Sequence, residues 1–262
     1  MFWKSLNIRG LGGKRGFTLI ELSIVIVLIG LIVAGVVGGQ VLVQQAKLRS
    51  QISEFQKYSV AFNSFILEYG EMPGDFSMAS SYWGGVTDGN GNRRIDGNSY
   101  GANHPNLETE MKIFFWHLSS AGLIPESFNG TWNANSNVGV SFPALKIDPK
   151  KGMVASGATN TNGQAQTTSA TRQVYKAALA LIVGQPNSTN SAFNDIIGTG
   201  KPRTYNSIDN KIDDGVARSG IFTAERPWNG STGNGDCLDG NDGDYLLTNT
   251  LAACHALYIL SK

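Results

Sequence analysis

Only two cysteines and three histidines occur in this chain of 262 residues, and that scarcity removes whole classes of site. Cys237 and Cys254 are too few for a zinc ribbon and lack C-x-x-C spacing. His104, His117 and His255 are scattered, and His117, within the aromatic run FFWHL, reads as a partly buried structural residue rather than a ligand. Clusters of positive charge are also missing beyond the start. Lys4, Arg9, Lys14 and Arg15 stand in the first 16 residues without an acid, which leaves 17 of the 21 cations against all 20 acids in the rest. Such a chain offers no electrostatic footprint for nucleic acid. No internal repeat is present. Most telling is a gap in charge, because nothing ionisable lies between Glu21 and Lys47.

What fills that gap is FTLIELSIVIVLIGLIVAGVVGGQVLV, residues 17–43, long enough for a membrane-crossing helix of about 20 apolar residues. The cations ahead of it hold the leading end in the cytoplasm. A secretory signal is cut behind its hydrophobic region. Here the sharpest change of composition, Arg15-Gly16-Phe17, comes in front. Beyond the apolar run, Leu48, Ile52, Phe55, Phe62, Ile66 and Tyr69 keep a 3–4 spacing broken at Ser59, and Gly70 and Pro73 stop it. The pattern predicts one helix from Phe17 to Tyr69, on the order of 80 Å long at 1.5 Å per residue. Its first half is an anchor, and its second half (44–69) is a spine with one apolar face.

Residues 70–262 are the body. The spacing predicts helices over 106–121, 171–183 and 205–213, and strands over 139–145, 244–247 and 255–260. Residues 155–171 have no apolar period and read as an exposed loop. The fold class is therefore α+β, with a long N-terminal helix held against a small antiparallel sheet with long loops and extra helices.

Lys14-Arg15-Gly16 followed by Phe17-Thr18-Leu19-Ile20-Glu21-Leu22 resembles the type IV pilin-like family, which includes type IV pilins, type II secretion pseudopilins and competence pilins. The resemblance implies a basic leader, residues 1–16, cut after Gly16 by a membrane prepilin peptidase that also methylates the new N-terminal Phe17. It implies that Glu21 contacts a neighbouring subunit's N-terminus during assembly. The body is similar to a subset of pilin-like proteins at MPGDFSMASSYWG (72–84), WHLSSAGLI (116–124) and YNSIDNKIDDGVARSG (205–220). Many pilins carry a proline where this chain has Gly38, followed by Gly39. Read without the resemblance, Glu21 is an interfacial residue that snorkels to water six positions past Arg15. With Gly16 cut, a free ammonium arises four residues away, and the same group on a neighbour can pair with Glu21 and set the register.

Other constellations compete with plainer readings. Asp88, Asn90, Asn92, the Arg94 carbonyl and Asp96 occupy ligand positions of an EF-hand-like calcium loop, although Arg93 stands where glycine belongs and Ser99 where a bidentate glutamate belongs. The alternative is an Asn/Gly surface turn. Asp236, Asp239, Asn241, Asp242 and Asp244 form a vaguer acidic cluster. Gly97-Asn-Ser99-Tyr-Gly101 matches G-x-S-x-G as a string but lacks the strand before and helix after that a nucleophile elbow needs. Asp209, Asp213 and Asp214 read as helix surface and C-terminal cap. If the body lies outside the cytoplasm, Cys237 and Cys254 are one disulfide closing a loop of about 17 residues, worth roughly 3 kcal/mol.

These readings converge on a structural, non-enzymatic subunit of a type IV pilus or type II secretion pseudopilus. It would reside as a single-pass protein of the inner membrane in a Gram-negative envelope, with its body in the periplasm, before entering a filament. Its expected partners are the prepilin peptidase/methyltransferase and other pilin or pseudopilin subunits. The size of the body points to a minor subunit. The rivals are a tethered periplasmic adhesin or ligand-binding module, for which the loops around Trp83, Trp132 and Trp228 are the evidence, and a tethered enzyme.

Overall fold

A computed structural model of the protein describes residues 16–95, 109–131, 138–157, 179–186, 193–194, 199–225, 236–239 and 244–261. Helix α1 runs Leu19–Tyr69, as the apolar run and its amphipathic continuation require. The chain divides into two compact units, Met1–Gln45 and Ala46–Lys262. Among the described residues of the first unit, the side chains from Phe17 to Val43 stand exposed on every side of the helix. A helix this long and apolar is suited to cross a membrane.

In the second unit, α1 buries Leu48, Phe55, Tyr58, Ala61, Phe62 and Phe65. The sequence spacing placed Ser59 and Ile66 on the inward face. The structure turns the stripe by about one position, so Tyr58 and Phe65 point in while Ile66 is only partly covered. The aromatic rings decide this, since each buries more area than an aliphatic neighbour. Helix α1 ends at Gly70, whose φ of 75° suits a residue without Cβ and whose N–H caps the Ile66 carbonyl at 2.9 Å.

The short helix α2, Ala79–Tyr82, and helix α3, Thr109–Ser120, follow. Helix α3 packs on α1 through aromatic pairs: Tyr58 meets Phe115 edge-on at 5.1 Å, and Phe62 meets Phe114 at 6.3 Å. Strands β1 (Gly152–Gly157), β2 (Leu179–Pro186), β4 (Phe222–Glu225) and β5 (His255–Ser261) form an antiparallel sheet in the order β1-β2-β5-β4, and the two-residue β3 (Phe193–Asn194) pairs with the end of β2. Helix α4, Pro202–Ile212, precedes β4 and opens with proline in its first turn. Phe55 ties α1 to the sheet, stacking on Tyr258 at 5.0 Å and tilting against Phe222 at 5.9 Å. Polar contacts flank this core. Lys146 reaches Glu54 at 3.1 Å, its N–H donates to Gln51 at 2.7 Å, and Lys57 pairs with Glu126. A long apolar helix with a small antiparallel sheet is the α+β arrangement expected of a pilin-like fold.

Three expected elements are corrected. Residues 179–183, expected to be helical, are the centre of β2, and Leu179 to Val183 are all buried. A strand flanked by β1 and β5 and covered on both faces loses the alternation that would mark it. Residues 139–145 make only isolated bridges, Val138 to Phe142 and Ala144 to Gly152, because Pro143 cannot donate to a ladder. Residues 244–247 contribute one bridge, Tyr245 to Leu238, instead of a strand. Strand β1 claims Ala155 to Gly157 from the expected loop, and β4 and α2 had no sequence signal assigned.

Candidate functional site

Gly16, Phe17 and Thr18 precede α1 and are exposed, Phe17 at 89%. The Gly16–Phe17 bond thus lies in exposed, non-helical backbone ahead of the helix. Thr18 then caps the helix. Its backbone N–H and its hydroxyl both donate to Glu21 Oε2 at 2.8 Å, and the Glu21 N–H donates back to Thr18 Oγ1 at 3.3 Å. This reciprocal pair is a capping box, which satisfies backbone donors that no helix turn can reach. The string Thr18-Leu-Ile-Glu21 ahead of an apolar run is its sequence signal, and the sequence reading passed over it. Within its own chain, the Glu21 carboxylate therefore already holds two donors.

The turn after α2 is organised from inside. Asp75 is buried, and its two carboxylate oxygens accept the N–H groups of Asn92 at 2.9 Å and Arg93 at 2.6 Å. Its carbonyl accepts Gly91 N–H at 2.9 Å. The buried Glu110 accepts Asn90 N–H at 3.0 Å. Arg93 is the one described non-glycine residue with positive φ, 65°, which aims successive amides at one anion. Burial raises the Asp75 pKa, against the lowering effect of those amides. Of the residues expected to ligate calcium, Asp88 accepts the Ser80 N–H at 2.6 Å and hydroxyl at 2.8 Å. Asn90 and Asn92 each accept an N–H two residues on, at 2.9 Å. Asp96 lies outside the described residues, as do Gly97, Ser99 and Gly101 of the G-x-S-x-G string.

A second acidic group joins α4 to β4. The side chains of Asp209, Asp213 and Asp214 bring their oxygens within 4.8 Å of one another. Asp209 is fully buried rather than on a helix surface, which corrects the sequence reading. Tyr245 donates to its Oδ2 at 2.7 Å, and Gly215 N–H to its Oδ1 at 3.2 Å. Burial first, and a proton shared with Asp213 second, push the Asp209 pKa up to about 8. Burial works against Asp213 too, but the bond from Asp209 and the amides of Phe222, Ile221 and Asp214 outweigh it and hold Asp213 below the ordinary carboxylate range. The arrangement is a carboxylic acid donating to a carboxylate that also anchors the first amides of β4.

Cys237 and Cys254 form a disulfide, so the expected pairing is present. In the acidic cluster beside it, Asp239 N–H donates to the Asp244 carbonyl at 2.9 Å, while Asn241 and Asp242 lie outside the described residues. Trp132, Trp228 and His104 also lie outside them. His117 is fully buried, not partly as expected.

Residues 12–37 match the model of the prokaryotic N-terminal methylation motif. No curated protein and no solved structure matches the chain. The matching motif is a structural pilin-type signal and not an enzyme family. It implies processing by a prepilin peptidase and assembly with other pilins, and together with the apolar helix it suggests membrane anchoring. This chain carries, at residues 12–37, the type IV prepilin-like signal.

Proposed function

We propose that the protein is a structural subunit, prepilin or pseudopilin, of a type IV pilus or a type II secretion pseudopilus. Prepilin peptidase cuts after Gly16 and methylates Phe17, and the processed subunit leaves the inner membrane for a filament built through its N-terminal helix. The observation that carries this is the methylation motif lying over an exposed Gly16–Phe17 bond directly ahead of α1. Glu21 is the one charged side chain between Arg15 and Lys47. Before assembly it is held by Thr18, and in the filament it receives the N-terminal ammonium of a neighbour. The body, residues 70–262, coats the filament, and its size favours a minor subunit. Asp88, Asn90, Asn92, the Arg94 carbonyl and Asp96 are the groups that would hold calcium if the body takes up a cation.

Intact-mass measurement after co-expression with a prepilin peptidase tests the proposal. Loss of residues 1–16 with gain of one methyl group supports it, and an uncut N-terminus overturns it. Glu21→Ala is expected to leave cleavage intact and to reduce incorporation into filaments at least tenfold. Normal incorporation of that variant removes the role given to Glu21.

A further inference from the structure

His117 lies on α3 with no exposed surface, in a ring of aromatics: Phe65 stacks near it at 6.3 Å, and Phe76 and Trp83 approach at 6.4 and 6.3 Å. Both ring nitrogens bond to backbone. Gly74 N–H donates to Nδ1 at 2.9 Å, so Nδ1 must be the unprotonated acceptor. Nε2 lies 2.8 Å from the Thr87 carbonyl, which can only accept, so Nε2 carries the hydrogen. The two contacts admit one form of the ring, the neutral Nε2–H tautomer. They also join the two ends of a segment, residues 74–87, that contains α2 and leads into the turn seated on Asp75.

We propose that His117 is an acid-operated latch on this segment: a proton added at Nδ1 would face the Gly74 N–H, break that bond, and loosen the hold of α3 on residues 74–92 from the Gly74 end, while Nε2–H keeps the Thr87 carbonyl. A carbonyl at Gly74 would have welcomed the proton, whereas an amide there cannot. The charges around the ring do not soften the clash. From the loop, Asp88 acts on the ring and favours its cation, yet its oxygens are taken by Ser80. From the turn after α1, Glu71 is bonded to Ser77 and Asp75 to the Asn92 and Arg93 amides. On α3, Glu110 accepts from Asn90, with Lys112 two residues on. On α1, Glu68 is exposed. With both ring nitrogens on backbone, none of these carboxylates is placed to take the new proton's hydrogen bond. Burial accordingly holds the ring's pKa below the ordinary histidine value. A histidine depressed in the fold contributes fully above its unfolded pKa of about 6.5, and that contribution fades as pH falls below it.

The test is hydrogen exchange on the full chain in detergent micelles, expressed as protection after correction for intrinsic pH dependence. Between pH 7.5 and 5, protection of the amides at 74–92 should fall by up to about thirtyfold, the ratio by which an exposed ring near pKa ~6.5 takes up protons. Strands β2 and β5 should keep theirs. In His117→Gln, whose amide can accept and donate without titrating, the loss should disappear. Uniform protection in the wild type, or the same loss in the variant, overturns the latch. Should the variant not fold, the wild-type ring is followed by NMR. A midpoint below 6.5 that coincides with loss of protection at 74–92 supports the proposal, and an ordinary midpoint without such loss defeats it.

Discussion

Removing the Cys237–Cys254 bridge is the perturbation whose size follows most directly from the structure. Both half-cystines are fully buried and 17 residues apart. The bridge sits where three distant segments meet: the Cys254 carbonyl accepts the amides of Thr199 and Gly200, and the Cys237 carbonyl accepts that of Leu246. In the chain-entropy picture, a loop of this length stabilises the fold by about 3 kcal/mol through restriction of the unfolded chain. Reduction with dithiothreitol keeps both sulfurs in place and isolates that contribution. A Cys237→Ala, Cys254→Ala double variant adds the loss of buried volume and should fall further. For a domain of roughly 200 residues, about 3 kcal/mol corresponds to a midpoint lowered by roughly 6–12 °C. The assay is guanidinium unfolding followed by near-ultraviolet circular dichroism, which reports the body's packed aromatics. The denaturant slope should also steepen on reduction, because the unfolded chain exposes more surface without its cross-link. A loss below about 1 kcal/mol, with an unchanged slope, refutes the loop-closure reasoning.

Three further outcomes are expected. Phe55→Ala, which empties the contact with both Tyr258 and Phe222, should cost about 3–5 kcal/mol in denaturant midpoints, and less than about 1.5 kcal/mol would mean that α1 is not held to the sheet there. Asp209→Asn keeps a donor for Asp213 and an acceptor for Tyr245 without a titrating proton. In the wild type, the folded pKa of about 8 stands above the unfolded value, so Asp209's contribution is full below about pH 4 and is lost as pH rises toward 8. The variant should therefore gain on the wild type between pH 5 and 9, and a gap that does not change with pH contradicts the shared proton. Gly89→Ala drives a methyl group into the main chain of Asp75 and should lower the thermal midpoint by several degrees, whereas an unchanged midpoint would mean the turn at 88–94 is not seated on Asp75.

The long helix was legible because its signals agree: an unbroken apolar run, a 3–4 stripe, and Gly70 as the stop. So was β5, a short apolar strand behind a turn. Strand β2 was misread because TRQVYKAALALIV starts with polar residues and ends in a continuous apolar run, and such a run does not distinguish a buried helix from a strand buried on both faces. The capping box at Thr18 and Glu21 is written in the sequence as Thr-x-x-Glu ahead of an apolar run, where the same glutamate also reads as an isolated charge in a membrane segment. The roles of Asp75 and Glu110 were not legible. The partners of each carboxylate at residues 90–93 lie 17 or more positions away in the chain, beyond the reach of any local pattern. Asp209 looked like helix surface for the same reason, since the Tyr245 that covers it is 36 residues away.

The order β1-β2-β5-β4 has a consequence in time. The last of these strands in chain order, β5, is inserted between β2 and β4, which do not pair with each other in the order of the sheet. Until residues 255–261 arrive, β2 and β4 each present an unpaired edge, and the apolar faces of Phe55 and Phe222 wait for Tyr258. A chain synthesised from its N-terminus must therefore pass through an interval with its sheet split in two, open to pairing with another copy. The contacts that end this interval span large sequence separations, which slows their formation. For such a chain, the dangerous moment is the delay before its final strand arrives, and whatever shields nascent edges in its compartment matters to this protein as much as the finished fold.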